Sequence, residues 1–248
     1  MEKDSKKSLV VVTGASEGIG AAIAFELARR GCDLLINARN EERLEKRAAE
    51  LRSFGVNVRT EAGDIGSPET ADRIFDAIEE EGLLGRELKL VNNAGIAHIG
   101  LLQDMSISEW DRLMAVNLSA LFYTSRRAIP LMLRDKCGHI VNISSAWGEV
   151  GASMETAYSA SKGGVDAFTR ALGKELAPSG IAVNALSLGV MDTRMNDCFS
   201  EEEKEELCGG IPAGRFGRPE EAARLCADLL ECDTYLTGQV IRLDGGWI

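Results

Sequence analysis

Tyr158 and Lys162 stand four residues apart in a stretch of helical periodicity, so they share one helix face. An ammonium beside a phenol stabilises phenolate and lowers the tyrosine pKa from its reference near about 10. A tyrosine tuned in this way serves as a general acid or base near neutral pH. In isolation, a Tyr-x-x-x-Lys pair is common and carries little weight. Upstream lies Ser144-Ser145, following a short apolar run that reads as a strand. A serine hydroxyl there can hold a carbonyl oxygen beside Tyr158. Asn92-Asn93-Ala94-Gly95 follows another apolar run, and Asn117 lies in the helical stretch after it.

A second group of residues has the chemistry of phosphate binding. Thr13-Gly14-Ala15-Ser16-Glu17-Gly18-Ile19-Gly20 joins the apolar run Leu9–Val12 to a helical stretch, Ala21–Arg30. The spacing is G-x-x-x-G-x-G. Glycines allow a tight turn and close backbone approach, and free N–H groups at a helix start favour a pyrophosphate. The second strand ends in Asn37-Ala38-Arg39-Asn40. A free ribose 2′-hydroxyl is usually held by a carboxylate near this point, but here Ala38 and Arg39 stand there. A guanidinium suits a 2′-phosphate, so NADP(H) is favoured and NAD(H) remains possible. A solvated helix-start residue is the plainer reading of Arg39. Glu17 would repel the same phosphate if its side chain points that way. Asp64 is placed either to meet an adenine edge or to cap the helix ahead of Pro68.

These residues need elements to position them. Short apolar runs alternate with helical periodicities along the chain. Strands are predicted at 9–12, 33–37, 56–61, 88–91, 139–143, 181–186 and 239–243, with helices between them. Near-continuous apolar strands alternating with helices imply an α/β, doubly wound, Rossmann-type fold with a seven-stranded parallel sheet covered on both faces. No Pro/Gly/Ser-rich linker interrupts the chain, so residues 1–248 read as one domain. The stretch 191–217 is longer than an ordinary connection and reads as a substrate lid. Within it, the acidic run Glu201–Glu206 reads as the solvated face of a surface helix.

Composition narrows the function classes. The 248 residues carry a net charge of −11, with 45% hydrophobic and 27% charged residues, values that exclude wholesale disorder. An acidic chain argues against a nucleic-acid-binding face. No apolar run reaches the ~18–20 residues of a membrane span, and the polar start lacks a signal-peptide pattern, so a cytoplasmic location is expected. Six cysteines without C-x-x-C spacing and only two histidines read as scattered free thiols with no metal site.

Taken together, the motifs resemble the short-chain dehydrogenase/reductase family across essentially the whole chain. The matching residues are the Thr13–Gly20 turn, Asn92-Asn93-Ala94-Gly95, Asn117, Ser145, Tyr158-x-x-x-Lys162 and Asp244-Gly245-Gly246. By that resemblance Tyr158 is the proton donor and acceptor, and Lys162 lowers its pKa and binds the nicotinamide ribose. Ser145, chosen over Ser144 by the family spacing, orients the carbonyl, and Asn117 supports a water in a proton relay. The resemblance puts Gly14, Ser16, Glu17, Gly18, Ile19, Gly20, Arg39, Asn40, Asp64, Ile65, Asn92, Ala94, Gly95, Tyr158, Lys162, Gly189, Val190 and Thr193 at the cofactor. One departure is Leu188 where the family usually has proline before Gly189, which predicts a looser turn.

Within the family the chain is most similar to the 3-oxoacyl-(acyl carrier protein) reductases, through Ile211-Pro-Ala-Gly-Arg-Phe-Gly217, Pro219-Glu220-Glu221 and the 238–247 ending. That similarity implies reduction of a 3-oxoacyl thioester with NADPH in fatty acid biosynthesis, and a homotetramer. Arg126, Arg127, Arg134 and Lys136 offer a basic patch for an acidic carrier protein, although helix solvation is the blander reading. A free small-molecule ketone or secondary alcohol would need no patch. The stretch Trp147–Ser153 also resembles reductases proposed to act on a ketone carried by elongation factor P. A catalytically silent NADP-binding regulator is the reading from another class, but it has no chemical need of Asn117, Ser145, Tyr158 and Lys162 together.

Overall fold

In the computed structural model, residues 8–80, 87–194 and 200–248 are described. Leu9–Thr13 (β1) is buried at every position and pairs in parallel with Asp33–Ala38 (β2) on one side and Leu88–Asn92 (β4) on the other. Val58–Ala62 (β3) extends the sheet beyond β2. Gly138–Ser145 (β5), Ile181–Leu188 (β6) and Val240–Leu243 (β7) extend it beyond β4. The order is β3-β2-β1-β4-β5-β6-β7, the doubly wound sheet expected. The order reverses between β1 and β4, and ligands in such sheets bind outside the strand C-termini at that point.

Successive strand residues face opposite layers, and the two cores follow that alternation. Val10, Val12, Leu34 and Ile36 pack beneath Gly18–Arg29 (α1), Glu41–Arg52 (α2) and Pro219–Leu229 (α9). Leu9, Val11, Leu35 and Leu90 pack beneath Pro68–Glu80 (α3), Ala120–Asp135 (α5) and Thr156–Leu176 (α7). The helical stretch that carries Asn117 is not one continuous α-helix but Ile107–Met114 (α4), a π-helical turn at Ala115–Ser119, and α5.

Two predicted strands, β5 and β6, end two residues later than periodicity suggested. Ser144 and Ser145 do not follow β5 but are its last two residues. Likewise β6 runs to Leu188, which pairs with Leu243 and accepts the Ala146 N–H at 2.8 Å. With its side chain buried as well, Leu188 is a strand residue, and the looser turn expected in place of proline does not form. The connection after β6 begins and ends together. Met191 bridges Gly217, and the Gly217 N–H donates to Val190 at 2.9 Å. Glu201–Gly210 (α8) lies within it, its acidic run exposed as predicted and capped by Ser200 and Glu203. The described cysteines are all free thiols; Cys198 lies outside the described residues.

Candidate active site

Four side chains converge where β4, β5 and α7 meet. Tyr158 and Lys162 lie on the sheet-facing side of α7, with the Lys162 Nζ 5.7 Å from the Tyr158 ring centroid. Lys162 is buried, and its ammonium donates to the Ile143 carbonyl at 2.8 Å. Ser145 is hydrogen-bonded to Tyr158, and its Oγ also accepts the Trp147 N–H at 3.3 Å. Asn117 sits fully buried in the π-helical turn, a geometry often found at functional sites. Its Oδ1 accepts the Ile96 N–H at 2.8 Å, and its Nδ2 donates to the Ile96 carbonyl at 2.9 Å and to Ser161 at 3.1 Å. A Cβ at Gly95 would stand 3.6 Å from both Asn117 Oδ1 and Lys162 Nζ, so the glycine keeps this junction open.

Burial dominates the electrostatics. It pushes the Tyr158 phenol up to about 12, against the hydrogen bond from Ser145, while the Glu155 charge adds to the rise. Burial also brings Lys162 down to about 8, opposed by the Asp166 carboxylate. The expected lowering of the Tyr158 pKa by Lys162 is therefore not met: desolvation of the phenolate raises it, and Ser145 is the group that opposes the rise. At neutral pH this phenol is a proton donor.

The glycine turn is built for close approach of backbone. Gly14 has φ +67°, and a Cβ there would meet Ala94 Cα at 2.9 Å. A Cβ on Gly20 would lie 2.2 Å from the Gly14 carbonyl oxygen. Asn93, which the sequence reading quoted but did not assign to the site, fastens this turn. Its Nδ2 donates to the Thr13 and Gly14 carbonyls at 2.9 and 3.2 Å. Thr13 Oγ1 accepts the Asn93 and Ala94 N–H groups in return. Glu17 is the N-cap of α1 but gives no side-chain cap, so the first N–H groups of Gly18 and Ile19 are left for an anion. Thr193 closes over Gly18, its methyl 3.9 Å from where a Cβ would be. Ser16 turns its carbonyl to Arg47 at 3.4 Å. Gly189 passes close to Asp244, 2.8 Å from its Cα to a Cβ built there, and Val190 anchors the end of the long connection. These features fit a dinucleotide.

Several expected cofactor residues are used otherwise. The Asn92 side chain turns into the core, where Nδ2 donates to Asn142 at 2.9 Å and Oδ1 accepts from Thr124 at 2.7 Å. The Ile65 side chain is buried beneath α3. Asn40 caps α2 by accepting the Arg43 N–H at 2.8 Å. Asn92 and Ile65 can offer a cofactor their backbone only, whereas Asn40 is exposed and only its Oδ1 is engaged by the cap. Asp64 does not cap α3. It accepts the Gly66 N–H at 3.0 Å and pairs with Arg112 at 2.6 Å. Burial raises its pKa, but Arg112 and the Gly66 amide outweigh this and hold it below the ordinary value.

Arg39 is exposed at the end of β2, as the 2′-phosphate reading requires. Glu17, the expected source of repulsion, is occupied by two guanidiniums: Arg194 at 2.7 Å and Arg43 at 3.4 Å. The sequence reading missed both. Arg43 was findable, four residues beyond Arg39 on the first turn of α2, but Arg194 lies 177 residues from its partner. The predicted basic patch is reduced. Arg127 is bound by Asp72, Asp76 and Glu79 of α3, and Arg134 by Asp135.

The chain is similar to known proteins along most of its length. Residues 8–204 match the short chain dehydrogenase family. An uncharacterized oxidoreductase of Bacillus subtilis, YmfI, is 39% identical over 96% of this chain and 97% of its own. The 3-oxoacyl-[acyl-carrier-protein] reductase FabG of Aquifex aeolicus is 37% identical over 99% of each chain. The structure of YwfH, an NADPH dependent reductase involved in bacilysin biosynthesis, superposes with a TM-score of 0.91 at 29% identity, covering 98% of this chain and 99% of that one. With the glycine turn, the doubly wound sheet and a family match across most of its length, this chain belongs to the short-chain dehydrogenases and is an NAD(P)-dependent oxidoreductase.

Proposed function

We propose that the protein is an NADPH-dependent carbonyl reductase that converts a 3-oxoacyl thioester on acyl carrier protein to the 3-hydroxyacyl form. The observation that carries the reading is the convergence of Tyr158 and Ser145, hydrogen-bonded to each other, with Lys162 buried beside the Tyr158 ring. Bound NADPH supplies a hydride to the carbonyl carbon. Ser145 and Tyr158 hold the carbonyl oxygen, and Tyr158 donates its proton to the developing alkoxide. Lys162 stabilises the phenolate left behind and contacts the ribose. The Asn117 side chain is spent on Ile96, so a relay water rests on its main chain. Gly14, Gly18, Ile19, Gly95, Gly189 and Thr193 line the cofactor path.

NADPH is favoured over NADH because Arg39 is exposed and Glu17 is neutralised by Arg43 and Arg194. FabG similarity supports the acyl thioester. The segment 191–217 is assigned as the substrate lid on the support of its ends, which meet at Met191 and Gly217; residues 195–199 of it lie outside the described residues. A homotetramer is the assembly expected of the family.

A second reading is a ketone on a basic group, such as one carried by elongation factor P. The observation favouring it is Glu155, three residues before Tyr158 and held by the Trp147 side chain, which packs at a tilt against Trp247 with ring centroids 4.5 Å apart. A carboxylate with aromatic rings suits a cation, and the reduced basic patch is a poorer dock for an acidic carrier. NADPH oxidation at 340 nm separates the two. Turnover of acetoacetyl-acyl carrier protein supports the first reading. Inactivity there, with reduction of an amino ketone, replaces it by the second. Activity with NADH alone removes the cofactor assignment.

A further inference from the structure

α7 carries a second buried charge on the face that holds Lys162. Asp166 is one turn further along and only 2% exposed. Ser144, at the end of β5, joins the two residues. Its single hydroxyl proton is shared between the Lys162 carbonyl, at 3.3 Å, and the Asp166 carboxylate. The other oxygen, Asp166 Oδ1, is buried with no hydrogen-bond partner among the described residues. Ser187, in register with Ser144 on β6 and so on the same sheet face, also has a buried hydroxyl with no hydrogen-bond partner among the described residues. Packing alone would place an apolar residue here, because a buried carboxylate short of hydrogen bonds is costly.

The charges around it give a reason. Burial holds the Asp166 pKa above its ordinary value, against Ser144 and against Arg170 and Lys162, one turn to either side on α7, which favour the carboxylate, while Glu149 of Trp147–Val150 (α6) adds to the rise. Glu149 is itself engaged by Arg242 of β7 at 2.6 Å. Facing Lys162 are the Tyr158 ring, the Ile143 carbonyl of β5 and, across Gly95, Asn117. Asp166 is therefore the one carboxylate acting on Lys162 among the described residues.

We propose that Asp166 is a positioning residue for Lys162: through its charge and its Ser144 link to β5, it keeps the lysine protonated and aligned beside Tyr158. The proposal rests on Lys162 belonging to the active site. Burial alone drives the Lys162 ammonium toward its neutral form, and Asp166 opposes that drift. Without the carboxylate, Lys162 loses its proton at lower pH, and ribose binding and phenolate stabilisation fail together.

The test is the pH dependence of NADPH binding, read by nucleotide fluorescence in the whole protein, alongside kcat/KM. Asp166→Asn removes the charge at nearly constant volume. The alkaline limb of both profiles is expected about one pH unit lower than in wild type, with affinity near wild type at pH 6.5. Ser144→Ala keeps the charge and leaves the limb in place. Superimposable profiles for Asp166→Asn and wild type overturn the proposal, as does an equal loss at every pH, which marks a structural role only. If Asp166→Asn does not fold, Asp166→Ser is read by the same criterion. NADPH binding needs no substrate, so a wrong ketone silences turnover while the shifted binding limb still reports on Asp166.

Discussion

Asn93 Nδ2 lies 2.9 Å from the Thr13 carbonyl oxygen, so the end of β4 holds the glycine turn that follows β1. The sheet order makes this possible, because β1 and β4 are hydrogen-bonded neighbours although β2 and β3 lie between them in the chain. Gly20 completes the junction. A methyl group there would press on both the Gly14 carbonyl and the Asn93 amide. Gly20→Ala is expected to destabilise the fold by about 1–3 kcal/mol, the usual cost of overpacking, and to abolish nucleotide binding. Urea melts and NADPH fluorescence check both; wild-type affinity in Gly20→Ala would show that the turn tolerates a wider path.

Tyr158→Phe removes the proposed proton donor and keeps the ring. Turnover should drop about 10²-fold or more, the usual contribution of general acid–base catalysis, with NADPH affinity little changed. Stopped-flow hydride transfer and equilibrium binding separate the two effects. Retained turnover would move the acid role to another residue.

Arg39→Ala should weaken NADPH binding about 10- to 100-fold and leave NADH binding unaltered, since a hydrogen bond to a charged group contributes about 1.5–3 kcal/mol. Glu17→Gln leaves Arg43 and Arg194 without their carboxylate partner and should tighten NADPH binding modestly. Titration of each variant with both nucleotides is the check, and equal losses for NADPH and NADH in Arg39→Ala would detach Arg39 from the 2′-phosphate.

Stability should depend on acid through Glu87, at the opposite end of the sheet from the site. The His139 ring 3.5 Å away and Lys89 at 3.2 Å, against the opposing effect of burial, hold its carboxyl down to about 2. A carboxyl with a depressed folded-state pKa stabilises the protein above its unfolded value of about 4.3, and that contribution is lost as pH falls through the window toward about 2. Urea midpoints between pH 7 and pH 2.5 should therefore fall more steeply for wild type than for Glu87→Gln. Parallel slopes would show that the Glu87 contacts contribute nothing to folding.

Much of this protein is legible without coordinates because local physics specifies it. Period-two and period-3.6 patterns fix strands and helices, and the glycine turn and Tyr158–Lys162 register depend only on short spacing. Boundaries were less readable: Ser144, Ser145 and Leu188 remain in strands because neighbouring strands supply hydrogen bonds that no local window contains. The direction of a side chain was not readable at all. Asn92 looks like a cleft residue in the motif, yet Thr124 and Asn142 draw it into the core. Spacing marks Tyr158 and Lys162 as partners, but their proton affinities follow from burial, which depends on β5 and α7 packing together. Long-range charge pairing was equally hidden: Glu17 meets Arg194 only because β1 and β6 deliver their C-terminal loops to the same edge of the sheet. Residue order thus establishes the family, the elements and the chemical groups present. Tertiary packing decides which of those groups face the cofactor, which are spent in the core, and which carry a proton at neutral pH.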